Sequence, residues 1–285
     1  MTMVLDGIHV VSLAVNVPGP VAAAKLHQQG AIVTKVEPPR GDPLAGYSPS
    51  WYAALAAGQT ILTLDLKHSE GRHQLAELLA TADVLLTATR PAALARLNLG
   101  WDLLHESYSQ LCHVAIVGYA PPNEELAGHD LTYQAMQGLV TPPHLPRTLL
   151  ADLAGAEQTV STVLALLLGR ERGQGAGFAQ VALDMAVATY TAPLQHGLTG
   201  STGLLDGSLP TYNLYQTKQG WIAVAALEPH FAELLAAALQ LAELSVTALQ
   251  QTFAQHTADT WATWAAERNL PIVAVREYVG TIEDC

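Results

Sequence analysis

The chain has 285 residues, half of them hydrophobic and only 13% charged, against about a quarter charged in an ordinary soluble domain. That length suits one large domain or two smaller ones, and the composition excludes a disordered tail. With 13 basic against 25 acidic residues the formal net charge is −12, and no basic patch interrupts it, so no nucleic-acid partner is expected.

Residues 8–13 form a β-branched run predicted as a strand. Residues 21–29 read as a helix stopped by Gly30, and 32–36 as a second strand closed by the turn-rich 37–43. A third strand is expected over 61–66. Residues 70–80 carry helical periodicity, with Leu75, Leu78 and Leu79 on one face; 84–87 and 111–117 read as the fourth and fifth strands. Strands that alternate with helices, and are apolar enough to be covered on both faces, predict an α/β fold with a parallel sheet. A different section starts near 127, where Gly128-His129-Asp130 precedes a helical stretch, 131–137. A long helix is expected over 153–168, ending at Gly169, and 181–190 continues in apolar register. The glycine-bearing 197–210 reads as a linker. Beyond it, 212–215 and 221–225 predict a hairpin turning at Lys218-Gln219-Gly220. Helices over 231–241 and 247–268 and a strand over 272–275 complete a smaller α+β unit.

No uncharged apolar run reaches the roughly 18 residues of a membrane span. The N-terminus lacks the basic and apolar regions of a signal peptide, so a cytoplasmic location is expected. Cys112 and Cys285 match no metal or redox spacing, and Cys112, in an apolar run, reads as a small core residue. The 11 histidines are scattered; His113, His129 and His144 form no recognised ligand set, and no metal is expected. Walker A, intact G-x-G-x-x-G and G-x-S-x-G patterns do not occur. Val17-Pro18-Gly19-Pro20 is a tight strand-to-helix turn, either a plain turn or a place where backbone approaches a ligand at the helix N-terminus.

Three acid–base candidates remain. Asp130 reads as the N-cap of its helix, which leaves His129 outside the first turn, either structurally satisfied or facing a cleft. Asp152 stands at the start of a long apolar helix, where the dipole and free N–H groups favour the anion; it is either a cap or a base held ionised. Glu228, followed by Pro229, fits a helix cap.

Together these blocks resemble the class III CoA-transferase family (CaiB/BaiF type), which includes CoA-transferases and α-methylacyl-CoA racemase. The resemblance is carried by Leu5-Asp6-Gly7-Ile8-His9-Val10-Val11 with Pro18-Gly19-Pro20, by 30–39 with Gly41-Asp42-Pro43, by Leu64-Asp65-Leu66-Lys67, by 82–86 with Arg90-Pro91, and by Leu97-Asn98-Leu99-Gly100, in order along the chain. Gly128-His129-Asp130-Leu131-Thr132-Tyr133 is similar to the signature of the racemase branch, whereas the transferases usually carry Tyr or Phe where His129 stands. Asp152 matches the family's catalytic aspartate, and 226–231 is similar to the racemase segment whose glutamate, here Glu228, supports the histidine.

The resemblance implies a Rossmann-like large domain near 1–200, a small α+β domain near 208–276, and interlocked homodimers, with 277–285 beginning a return segment that this sequence does not carry further. It implies no resident cofactor: coenzyme A arrives as part of an acyl-CoA substrate. The implied reaction inverts the α-carbon of 2-methylacyl-CoA thioesters, with His129 and Asp152 as the two bases and Glu228 as partner of His129. The alternatives are a CoA-transferase working through Asp152, or a catalytically silent relative. Pro18, Arg40, Lys67, Arg90, Gly128, Asp130 and Tyr133 are the implied CoA-binding residues. The basic residues that the family usually presents after the second strand, and before Leu64, are replaced here by Pro38 and by Ala57-Gly58-Gln59-Thr60.

Overall fold

A computed structural model of the chain describes residues 3–276. Cys285 and the segment 277–285 lie outside them. The chain divides into two compact units between Thr191 and Ala192.

The first unit is built on six strands: β1 (His9–Ser12), β2 (Ile32–Glu37), β3 (Thr60–Thr63), β4 (Val84–Thr87), β5 (Cys112–Val117) and β6 (Phe178–Ala182). They pair in the order β3-β2-β1-β4-β5-β6, every pair parallel. The helices are α1 (Pro18–Gln28), α2 (Pro43–Tyr47), α3 (Pro49–Ala56), α4 (Ser69–Leu79), α5 (Pro91–Arg96), α6 (Trp101–Ser107), α7 (Asp130–Met136), α8 (Leu150–Gly169) and α9 (Leu183–Ala188).

Alternate strand residues serve opposite faces. Val10, Val33, Val84, Leu86, Val114 and Ile116 pack with Val21, Ala22 and Leu26 of α1 and Val160 and Val163 of α8. Val11, Val36 and Leu85 pack the other way, with Leu75 and Leu79 of α4, Leu94 of α5 and Leu104 of α6. Helices on both faces are why the strands read as nearly continuous apolar runs. Cys112 is completely buried in β5, in the core as expected. His113, beside it, is also buried and held at Nε2 by Thr87 Oγ1 at 3.0 Å; burial pushes its pKa down to about 4, so the ring is neutral.

The second unit has three antiparallel strands, β7 (Tyr212–Gln216), β8 (Trp221–Ala225) and β9 (Ile272–Ala274). Its helices are α10 (Ala192–Gln195), α11 (Pro229–Leu239), α12 (Val246–Phe253) and α13 (Ala258–Ala266). Tyr215, Ile222, Val224, Leu235, Phe253 and Trp261 form its core. The hairpin turns where expected: Thr217 N–H donates to Gly220 O at 3.0 Å, and Gly220 takes φ +84°.

Three regions depart from the sequence reading. Residues 43–56, given no element in the sequence reading, form α2 and α3, each opening on a proline at the first helical position. The apolar register over 181–190 divides between the end of β6 and α9. The single helix expected over 247–268 is two, because Thr257 Oγ1 accepts from Thr260 N–H and starts α13 afresh. Among the described residues no helix is long and apolar enough to cross a membrane.

Candidate active site

The strand order reverses at β1, which lies between β2 and β4. In an open parallel sheet, the carboxyl end of the strands at such a point opens a crevice suited to a ligand. Two clefts lie there. The first, of about 440 Å³, is lined by residues that include Asn16, Pro18, Arg90, Gly128, His129, Asp130, Tyr133 and Asp152. The second, of about 590 Å³, is lined by residues that include Glu37, Arg40, Gly41, Asp65 and Lys67. Val15, just past β1, lines both.

The expected site residues therefore separate into three groups. Pro18, Arg90, Gly128, His129, Asp130, Tyr133 and Asp152 share the first cleft. Arg40 and Lys67 face the second. Glu228 belongs to the second unit, where it is the N-cap of α11 ahead of Pro229.

Local geometry revises the expected caps. His129, not Asp130, is the N-cap of α7, in an extended conformation. Its backbone N–H donates to Thr132 Oγ1 at 3.0 Å, and Thr132 Oγ1 donates to His129 O at 2.7 Å. Asp130 becomes the first helical residue, and its carboxylate turns inward. Oδ1 accepts from the backbone N–H groups of Ala151 (2.8 Å) and Asp152 (3.1 Å), and Oδ2 accepts from Gln134 Nε2 (2.6 Å). Gln134 Nε2 also donates to Thr148 O at 3.0 Å. Asp130 thus caps α8 from another helix.

Asp152 is the third residue of α8, behind the N-cap Leu149. The sequence suggested an anion favoured by free helix N–H groups. Those of Ala151 and Asp152 are already taken by Asp130. Burial, and then the negative charge of Asp130, push the Asp152 carboxyl up to about 7. It stands near neutrality able to hold or release a proton.

Tyr133 is buried between two glycines. A Cβ on Gly118 would lie 2.3 Å from its hydroxyl oxygen, and one on Gly128 2.7 Å from it. Tyr119 packs edge-on at 5.1 Å between ring centroids. Burial, with nearby Tyr119, Asp152 and Asp184, pushes the Tyr133 phenol up to about 12, so it keeps its proton as a donor.

The turn into α1 is a poor anion cradle. Pro18 and Pro20 carry no N–H, so Gly19 alone among the first three helical residues offers one. A Cβ on Gly19 would lie 2.4 Å from that of Ala14, so this glycine serves close packing on the strand end.

The sequence reading passed over the support behind both clefts. Lys35, buried at the end of β2, pairs with Glu37 and, at 2.6 Å, with Asp42. The Tyr52 hydroxyl donates to Glu37, and its ring lies 5.0 Å from the Lys35 ammonium. Asp42 Oδ1 accepts from Leu44 N–H, starting α2, and from Asn16 N–H, each at 2.9 Å. The cluster therefore fixes the Asn16 turn of the first cleft and the 37–43 loop of the second. Asn16 has φ +71°, a conformation asparagine tolerates, and that was the available signal. For Gln134 the signal was its spacing four residues beyond Asp130 on a helix.

Comparison with known proteins follows the same lines. The chain is 34% identical to the α-methylacyl-CoA racemase of Mus musculus over 262 residues, 84% of this chain and 65% of that protein. It is 28% identical to the cinnamoyl-CoA:phenyllactate CoA-transferase of Clostridium sporogenes, over 80% of this chain and 62% of that one. The chain thus spans about 65% of the length of the racemases it matches. A hypothetical protein from Mycobacterium tuberculosis superposes with a TM-score of 0.85 at 27% identity, covering 97% of this chain and 84% of that one. A CaiB/BaiF family protein from Brucella suis, at 22% identity and a TM-score of 0.81, covers 97% of this chain and 85% of its own and shares the fold. The family model described as CoA-transferase family III matches residues 5–285. The sequence blocks fall within that match, and the chain belongs to CoA-transferase family III.

Proposed function

We propose that the protein inverts the α-carbon of 2-methylacyl-CoA thioesters by two-base proton transfer. The observation that carries this reading is the cleft that holds both His129 and Asp152, with the Asp152 carboxyl at about 7. A thioester acidifies its α-C–H because the electron pair left behind delocalises onto the carbonyl oxygen. One group, His129 or Asp152 according to the substrate enantiomer, takes that proton and leaves an enolate. The other, already protonated, delivers its proton to the opposite face. The two groups end with their protonation states exchanged. A carboxyl poised near neutrality serves either direction. The N–H groups of Asp130 and Leu131, at the start of α7 and beyond the reach of intrahelical acceptors, are the donors assigned to the enolate oxygen. Arg40 and Lys67 are assigned to the nucleotide end of coenzyme A in the second cleft, and Arg90 to the phosphates between. Glu228 is assigned as the partner of His129, and the acting form as a homodimer.

A second reading, a CoA-transferase, is favoured by relatives that carry that name. There Asp152 would attack the thioester, carry the acyl group as an anhydride and release coenzyme A as thiolate. That role needs an ionised nucleophile, and a carboxyl at about 7 is only half ionised at neutral pH. The test is incubation with 2-methylacyl-CoA in deuterated water, following the α-position by mass spectrometry. Wash-in that vanishes in both His129→Ala and Asp152→Ala is expected. Absence of wash-in with folded protein and intact ester would overturn the racemase reading for that substrate.

A further inference from the structure

We infer that Asp130 is a positioning residue for Asp152, tying the ends of the two helices that carry the candidate bases and withholding from Asp152 the N–H groups that would hold it as an anion. The inference rests on the proton-transfer reading of this cleft. Its first support is connectivity. Asp130 follows His129 directly in the chain, and its Oδ1 accepts from the backbone N–H of Asp152 itself at 3.1 Å and of Ala151 at 2.8 Å. The starts of α7 and α8, 21 and 22 residues apart along the sequence, are thus joined through one oxygen atom. The second support is rigidity. Oδ2 is held by Gln134 Nε2, and the same nitrogen bonds Thr148 O in the segment entering α8. The carboxylate is buried and has one orientation that satisfies all these donors. The third support is electrostatic. The N-terminus of a helix ordinarily stabilises a carboxylate in its first turn. Here a second carboxylate occupies that position, takes the available donors and repels charge on Asp152.

Among the described residues, Asp130 is the charge that acts on the Asp152 carboxyl. Arg90, Glu124 and His129 line the same cleft, and Tyr133 of α7 and Asp184 of α9 stand near it. The Asp184 carboxylate is occupied by the N–H groups of Ala120 and Met185. Of the other elements packed on α8, β6 carries no titratable side chain, His113 of β5 lies on the far face of the sheet and Cys112 is a buried thiol, and in α1 Lys25 pairs with Glu157 while His27 bonds Ala31 O. The segment Arg170–Gln174 follows the far end of α8, and its Arg170 pairs with Asp83. Among the described residues no lysine or arginine forms an ion pair with Asp130 or Asp152.

The test uses the full chain and two readouts, the pH profile of α-proton exchange and the titration of ¹³C-labelled aspartate carboxyls, assigned by Asp152→Asn. Asp130→Ala removes both the acceptor and the charge and should lower kcat on the order of a hundredfold, as expected for a displaced base. Asp130→Asn keeps an acceptor for the α8 N–H groups and removes the charge. Its amide nitrogen meets the Gln134 Nε2 donor in place of Oδ2, so it should recover only part of kcat, and it should move the Asp152 titration, and the matching limb of the profile, to lower pH. Gln134→Met keeps the charge but frees Oδ2; it should lower kcat without moving the limb, and it keeps the test open if an Asp130 variant fails to fold. An unchanged Asp152 titration in Asp130→Asn, or full kcat in both Asp130→Ala and Gln134→Met, would overturn the inference. If the wild type shows no exchange while the carboxyl titration still moves in Asp130→Asn, the racemase reading falls and the positioning role stands.

Discussion

Two carboxylate pairs, each with at least one buried member, stand at the carboxyl end of one sheet and behave oppositely. Burial by itself would raise Glu37, yet the hydrogen bond and charge of Lys35, with Tyr52 and the Asp42 N–H, bring its carboxyl below the usual range. Asp152, half-buried beside Asp130, rises to about 7. Burial and a neighbouring carboxylate are common to both sites. The enclosed lysine is not, and it decides the sign. Lys35 favours the charged form of Glu37, and this cluster holds loops in place; Asp152 can exchange a proton.

The largest expected effect comes from making the first site resemble the second. Lys35→Met leaves Glu37 and Asp42 buried without their cation and should destabilise the protein by about 3–5 kcal/mol in urea unfolding. An unchanged midpoint would break the contrast. The second site answers to pH. A raised carboxyl gives native stability that is fully present below the unfolded value of 3.8 and lost as pH climbs through about 7. Asp152→Asn removes that loss, so its melting temperature should equal wild type near pH 4, exceed it increasingly up to about pH 7 and keep that margin above it. Each pH unit climbed between 3.8 and about 7 widens the gap by about 1.4 kcal/mol, less what solvent screens at this half-buried group. Tyr52→Phe deletes one of the partners of Glu37 and should cost about 1.5–3 kcal/mol, with the loss shrinking in acid as Glu37 protonates. The exposed pair Lys25–Glu157, 2.7 Å apart, calibrates the bottom of the scale: Lys25→Ala should change stability by less than about 1 kcal/mol, and by less still in high salt.

The parallel sheet was legible because its strands are covered on both faces; β5 is buried at all six positions and reads as an apolar run broken by His113 alone. The first turns of α2 and α3 were not, since Pro43 and Pro49 punctuate a sequence as loops do and only the structure shows them at the first helical position. In the site, residue type and neighbourhood were enough to single out His129 and Asp152. The role of Asp130 was hidden for a plain reason. Its partners lie 21 and 22 residues away, and the carboxylate it influences sits in the same first turn that sequence rules assign to a stabilised anion. Local rules describe each helix end as if solvent faced it, whereas here another helix does.

Cys112 has a practical consequence. It opens β5 beside Val84 of β4, and its side chain packs in the core on the face covered by α1 and α8, with none of its surface exposed. A thiol there reacts with an alkylating reagent only when that core opens. With Cys285 replaced by serine, the chain keeps one thiol, so its alkylation rate becomes a clock for the opening of that core.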